Sequence, residues 1–244
     1  SICYTRPMKK YSVRPKNQDS NLQGKGLVDH LLSHRGIRTE TEAAAFLNPN
    51  YELHTHDPFL LKGMDKAVQR IIKAIQGEEK TVIYSDYDTD GIPAGVALHD
   101  FFKKTGFKNF TNYIPHRHDE GFGLNEDAIR AFIEDGVKLL ITIDCGIADV
   151  EHVKLAQENG IDVIVTDHHI PGAVLPPAFA IVNPKQADCQ YPEKMLCGAG
   201  VIYKVIQGVL ARERFGIKEG WEKWLLDMIG IATLSDMVPL VGEN

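Results

Sequence analysis

Thiols, excess positive charge and long apolar runs are all scarce in this chain, and each scarcity removes a class of protein. Only four cysteines occur among 244 residues, at Cys3, Cys145, Cys189 and Cys197, and none forms a CxxC pair. That excludes thiolate zinc modules and makes a disulfide framework unexpected at this size. The setting it implies is reducing and cytoplasmic. No run approaches the ~18 uninterrupted apolar residues of a membrane helix, and the start lacks the apolar core of a signal peptide. The formal net charge is −6, so the chain is no bulk polycation that coats nucleic acid. A nucleic-acid enzyme remains admissible, because clustered metal-binding acids bias the count and bound cations offset it. There is no internal repeat and no low-complexity segment. The first residue is Ser1 rather than Met, which points to a missing true N-terminus.

At 43% hydrophobic residues the chain can bury a substantial core. Residues 1–60 read as a small helical lead-in. They hold a basic start (Arg6, Lys9, Lys10, Arg14, Lys16), an amphipathic stretch over Leu27 to Leu32, and a helix start at Thr39-Glu40-Thr41-Glu42 ahead of Ala43 to Leu47. Residues 61–244 read as the main domain. There, helices expected over 65–75, 93–104, 150–158, 198–212 and 221–233 alternate with the apolar runs Thr81 to Tyr84, Leu139 to Ile143 and Ile161 to Val165. Phe179 to Val182 adds a further strand. β-Branched strands alternating with helices predict an α/β fold, a parallel β-sheet with helices on both faces.

The densest chemistry lies in Tyr84-Ser85-Asp86-Tyr87-Asp88-Thr89-Asp90-Gly91. In an extended backbone the three alternate aspartates project to one side. Carboxylates at roughly 4 Å repel by about 1 kcal/mol in water and about 4 kcal/mol at an effective dielectric near 20. Asp90-Gly91 taken alone suits a solvated turn. The strand before it and the helical pattern after it favour a strand end, where ligands bind in open α/β sheets. Two further strands end alike, one at Asp144 and the other at Asp167-His168-His169, and parallel strands bring those ends to a single edge. Carboxylates with imidazoles and no thiolate suit Mn²⁺ or Mg²⁺. Cys145, beside Asp144, reads as a small buried residue. The number of acids favours two ions with a shared aspartate, an arrangement that activates water and clamps an in-line displacement at a phosphoester.

Asp86-x-Asp-x-Asp-Gly91, Asp144-x-Gly146, Asp167-His168-His169 and Ser235-Asp236-Met237-Val238-Pro239-Leu240 together resemble the four ordered motifs of the DHH phosphoesterase family. Within that family the single-stranded-DNA-specific exonucleases are the nearest likeness. The segments 114–117, 120–124, 182–186 and 197–200 carry that narrower match, with Arg35-Gly36-Ile37 and Phe46-Leu47-Asn48-Pro49 in the lead-in. The resemblance implies a Mn²⁺- or Mg²⁺-dependent 5′→3′ exonuclease on single-stranded DNA, serving recombination and repair. Single-strand-binding protein and a helicase are its implied partners, and no membrane is involved. It also implies metal ligands at Asp88, Asp90, Asp144, His168 and Asp236, with Asp144 as the bridge. Asp86 is a weaker ligand candidate, standing in where Tyr84 replaces the histidine of many relatives. His169 would face the scissile phosphate, and Asp167 would orient the histidines or touch a metal.

Other readings stay open on the residues alone. Asp236 is by itself a helix-end surface acid, and His169 a packed histidine. Arg117, between His116 and His118, reads as a phosphate contact or a solvated loop cation. Phe122, between Gly121 and Gly123, reads as a base-stacking residue or a loop anchor. The match ends at Asn244, ahead of the second catalytic lobe and oligonucleotide-binding barrel of such exonucleases. The expectation is therefore a metal-binding lobe with weak or no processive activity alone. The rivals are a family member acting on short oligonucleotides, cyclic dinucleotides or pyrophosphate, and a non-catalytic DNA-binding scaffold, which should have lost ligands.

Overall fold

The computed structural model describes Ser12 and residues 26–244. Cys3 and the basic start from Arg6 to Lys16 lie outside the described residues. The chain divides into two compact units, Ser1–Thr55 and His56–Asn244.

The described part of the first unit is helical: α1 (Leu27–His34), α2 (Glu40–Leu47) and the single turn α3 (Tyr51–His54). The Thr39 side chain accepts from the Glu42 amide while the Glu42 carboxylate accepts from Thr39, a reciprocal cap that satisfies two otherwise orphaned donors. Leu32, Ile37 and Ala43 form its small core.

The second unit contains α4 (Met64–Gln76), β1 (Thr81–Ser85), α5 (Gly91–Thr105), β2 (Phe110–Tyr113), α6 (Glu126–Glu134), β3 (Leu139–Ile143), α7 (Val150–Glu158), β4 (Asp162–Thr166), β5 (Ala180–Val182), α8 (Gly198–Arg212) and α9 (Leu226–Ser235). The five strands are all parallel, in the order β2-β1-β3-β4-β5. Side chains alternate across the sheet. Val82, Tyr84, Leu140, Val163 and Val165 point to one face, where they pack with Ile129 and Phe132 of α6 and Val153 and Ala156 of α7. Helices α5 and α8 cover the other face, and α4 and α9 pack against them. Both faces are therefore buried, which explains strands that are apolar at nearly every position.

Three elements depart from the sequence reading. β2 is an unforeseen edge strand, exposed at Thr111 and Asn112, so it carries no continuous apolar run. α6 was also unforeseen, although Asn125 caps it by accepting from the Ala128 amide. The expected helix over 221–233 is a 3₁₀ turn, Trp221–Leu225, followed by α9.

Candidate metal centre

The register of the sheet fixes the site. Ser85 pairs with Ile143, Ile143 with Thr166, and Thr166 with Val182. The next residue on each strand therefore falls in one row: Asp86, Asp144, Asp167 and Asn183. The row is still stitched by backbone bonds from Asp86 N to Ile143 O (3.1 Å), Asp144 N to Thr166 O (3.0 Å) and Asp167 N to Val182 O (3.1 Å). Three acids thus meet at adjacent strand ends because the strands that carry them are neighbours.

The aspartates of β1 do not share one side of an extended backbone, as their alternation suggests. The strand stops at Ser85 and the chain turns at once into α5. Asp88 Oδ1 accepts from the Asp90 amide (2.8 Å) and the Gly91 amide (2.9 Å), which closes the turn. The turn sends the three carboxylates to two clusters. Asp86, Asp88 and Asp144 offer ligand atoms within 4.8 Å of one another, and so do Asp90, His168 and Asp236. A third such group, Asp144, His168 and His169, overlaps both. His168 Nε2 lies 3.2 Å from Asp144 Oδ1 and 3.7 Å from Asp90 Oδ2, while its Nδ1 is 3.7 Å from Asp236 Oδ2. Asp236, the C-cap of α9, is thereby carried from far along the chain into the second cluster.

Asp144 adopts a left-handed backbone, φ 60°, a conformation costly for a residue with a Cβ and held here by its surroundings. Gly198 is packed directly against it: a Cβ on Gly198 would stand 2.6 Å from Asp144 Cβ and 2.7 Å from Asp144 Oδ1. The same helix start binds Asp90, whose carboxylate accepts from the Gly198 amide (2.5 Å) and the Ala199 amide (2.8 Å). These free amides sit at the positive end of α8.

Asp167 has a different task. Its Oδ1 accepts from the amides of His168 (2.7 Å) and His169 (3.0 Å) and pairs with His169 Nδ1 (2.7 Å), while its Oδ2 accepts from the Ile147 amide (3.0 Å). With both oxygens engaged, Asp167 holds the His169 ring and the backbone amides around it. Asn183 completes the row by donating to the His169 carbonyl (2.9 Å).

Burial pushes the carboxyls of Asp86 and Asp90 up, and pushes that of Asp144 up to about 10, with the charges of Asp90 and Asp88 adding to the rise. Burial alone would raise Asp167 too, but its bonds with His169 and the neighbouring amides hold it below the usual range. The hydrogen bond from Asp167 raises His169 in turn. Asp86 Oδ1, Asp144 Oδ1 and His168 Nδ1 are buried with no hydrogen-bond partner. Buried acids whose charged forms are penalised, with orphaned polar atoms among them, fit a divalent cation. The donor set is oxygen and imidazole without thiolate, since Cys145 turns into the core beneath the sheet.

Both loop candidates reach this edge. The Arg117 guanidinium lies over the Tyr87 ring at 4.5 Å, and its charge draws the Asp86 carboxyl back down. Phe122 stands edge-on to His169, ring centroids 5.7 Å apart. Tyr84 is fully buried and turns its hydroxyl away from the acids, to the Gly123 carbonyl (2.8 Å). The roles of Gly198, Ala199, Ile147 and Asn183 escaped the sequence reading. The one signal available was Cys197-Gly198-Ala199-Gly200, a helix start of small residues where backbone approaches something closely.

Residues 80–233 match the DHH family, N-terminal domain. The chain is 45% identical over 219 residues to the single-stranded-DNA-specific exonuclease RecJ of Bacillus subtilis, covering 89% of this chain and 26% of that protein. A crystal structure of exonuclease RecJ bound to manganese superimposes with a TM-score of 0.67 at 31% identity, covering 75% of this chain and 45% of the other. RecJ of Thermus thermophilus in complex with Mn²⁺ gives 0.69 at 27% identity, with 88% of this chain and 29% of that one covered. The chain thus spans about a quarter of the length of the curated relative from Bacillus subtilis. The four motifs in order, the parallel sheet that aligns them and the match over residues 80–233 lead to one conclusion: this chain belongs to the DHH family.

Proposed function

We propose that this chain is the metal-binding lobe of a RecJ-type, single-stranded-DNA-specific 5′→3′ exonuclease acting in recombination and repair. The observation that carries the reading is the pair of ligand groups, Asp86-Asp88-Asp144 and Asp90-His168-Asp236, joined by the Asp144-His168 contact. Mn²⁺ or Mg²⁺ bound there supplies Lewis-acid activation of water and of the phosphoryl oxygens. The relatives solved with manganese support that choice of ion. Asp144, a member of the first group in contact with His168 of the second, would serve both ions.

The remaining steps belong to the protein's own groups. His169, about half exposed, is fixed at Nδ1 by Asp167, so its Nε2 faces outward toward a scissile phosphate. In the metal-free chain the hydrogen bond to Asp167 raises the His169 pKa, and a cationic ring there would donate to a phosphate oxygen as negative charge develops. Arg117 engages a backbone phosphate, and Phe122 carries a base on its ring. Burial of Asp86, Asp90 and Asp144 keeps bulk water from competing for the ligands. A reducing, cytoplasmic setting is supported by Cys145, Cys189 and Cys197, which are all free thiols.

The test is hydrolysis of a 5′-labelled single strand, the matching duplex and a dinucleotide, at protein excess with Mn²⁺. The single strand should shorten from its 5′ end, the duplex should resist, and a chelator should stop the reaction. Faster cleavage of the dinucleotide would favour a short-oligonucleotide enzyme. A scaffold would be favoured if the chain bound single-stranded DNA but no manganese.

A further inference from the structure

Between β2 and α6 the chain runs from Ile114 to Asn125 without helix or strand, yet it carries both residues that flank the acid cluster. Arg117 reaches Tyr87 and the Asp86 end; Phe122 reaches His169 at the other. His116, Arg117, His118 and Asp119 are exposed, as is Phe122 at 57%. Backbone bonds supply little restraint: the amides of Asp119 and Glu120 both return to the His116 carbonyl. Side chains tie the segment to the rest of the fold, and Glu120 both draws its two ends together and bonds it to Tyr113 of β2.

Glu120 Oε1 accepts from the Tyr113 hydroxyl and from Asn125 Nδ2 (2.9 Å), while its Oε2 accepts from the His116 amide (2.6 Å). Asn125 Nδ2 also contacts the Tyr84 hydroxyl (3.2 Å), which donates to the Gly123 carbonyl (2.8 Å). Tyr84 and Tyr113 stack at 5.1 Å on neighbouring strands, so these anchors are part of the packed sheet. The Leu124 amide is pinned separately by Asp149 Oδ2 (3.1 Å). One carboxylate therefore holds the chain just ahead of Arg117 and just before Phe122. Nothing in the chemistry of the acid cluster requires this network, since none of its members offers a ligand atom there.

We propose that Glu120 is a positioning residue for nucleic-acid binding: by joining the His116 amide to Asn125 within the 114–125 segment and bonding both to Tyr113 of β2, it fixes the separation of a phosphate-binding cation, Arg117, and a base-stacking ring, Phe122, across the metal-binding edge. The inference rests on the substrate roles proposed above. A single strand presents phosphates and bases at a repeating distance. A cation and a ring held at fixed separation capture that repeat without paying its ordering on binding. Tyr84 serves the clamp through the Gly123 carbonyl and the Asn125 side chain.

The experiment uses this chain with Mn²⁺ and a fluorescent oligothymidylate, with Kd read by anisotropy. The variants are Glu120→Gln, Arg117→Ala with Phe122→Ala, and all three changes together. Glutamine keeps the size but sets an amide donor against a hydroxyl or amide donor. Glu120→Gln should weaken binding on the order of tenfold, speed amide exchange across residues 116–124, and leave the affinity for Mn²⁺ unchanged. In the background lacking Arg117 and Phe122 it should have no further effect, because Glu120 acts through them. Unchanged exchange, an effect that persists in that background, or a parallel loss of Mn²⁺ would overturn the proposal. If the unsubstituted chain does not bind the strand, or the Arg117/Phe122 pair proves neutral, the substrate reading has failed. The exchange measurement then judges the clamp by itself: unchanged exchange would overturn it too.

Discussion

The two halves of the acid cluster are built differently. The Asp86-Asp88-Asp144 side offers only carboxylate oxygens, and Asp88 is half-buried. The Asp90-His168-Asp236 side contains an imidazole, draws on three separate parts of the chain, and is backed by the first amides of α8. The first half thus joins one tight turn, Asp86 to Asp88, to the end of the neighbouring strand β3. The second is assembled by tertiary structure. From this contrast follows an unequal pair of sites: a harder one of oxygen ligands alone, and one whose imidazole favours Mn²⁺ over Mg²⁺.

Removing the shared member should break both halves together. Asp144→Asn should abolish binding of one ion and weaken the other, with strand cleavage falling by at least ~100-fold, since even partners of ligands cost 10–100-fold. Cleavage within tenfold of the parent would deny Asp144 its bridging place. Next in size is Gly198→Ala. The new methyl must displace Asp144 or the start of α8, an overpacking of about 1–3 kcal/mol at the point where the halves meet. Both ion affinities should drop, and a drop confined to one would show that Gly198 serves that half alone. Asp86→Asn and Asp90→Asn then sharpen the contrast. Titration calorimetry should find the imidazole-containing site intact in the first variant, and the carboxylate-only site intact in the second.

The smallest effect is on stability and pH. Asp86, Asp90 and Asp144 are raised in the folded chain, the last to about 10. Their protonated forms are favoured by folding, so the metal-free protein loses stability as pH rises from the ordinary carboxyl range near ~4 toward that value. Asp167 is lowered and works the other way: the stability it contributes is present at neutral pH and goes as pH falls through its folded value. Without metal, the melting temperature should therefore be higher at pH 5.5 than at pH 8. Adding Mn²⁺ should raise it more at pH 8. Equal melting temperatures at the two pH values, with and without the ion, would contradict the burial of these acids.

Much of the carboxylate-only half was legible in the sequence, because Asp86, Asp88 and Asp144 follow strands whose apolar runs mark them plainly. The sheet edge common to Asp144 and Asp167 followed from parallel topology. What escaped was conformational. Alternation of aspartates suggested an extended strand, whereas hydrogen bonding by Asp88 closes a turn and diverts Asp90. The left-handed backbone of Asp144 has no sequence signature, and its dependence on Gly198 joins residues distant along the chain. Asp236 had only a motif to recommend it, since a helix-end acid is ordinary until α9 packs on α5. β2 was missed because an edge strand need not be apolar. α6 carried a readable start in Asn125 that the sequence reading passed over.

The contact of Asp90 with the start of α8 spans 108 positions, and the group it belongs to draws its other members from β4 and the end of α9. A cation seated there works as a removable crosslink that closes several long loops simultaneously. Its affinity is consequently a gauge of global folding as much as of local chemistry: a change far from the acids that loosens α8 or α9 should register first as a weaker hold on the ion, through mass action, before any spectroscopic sign of unfolding appears.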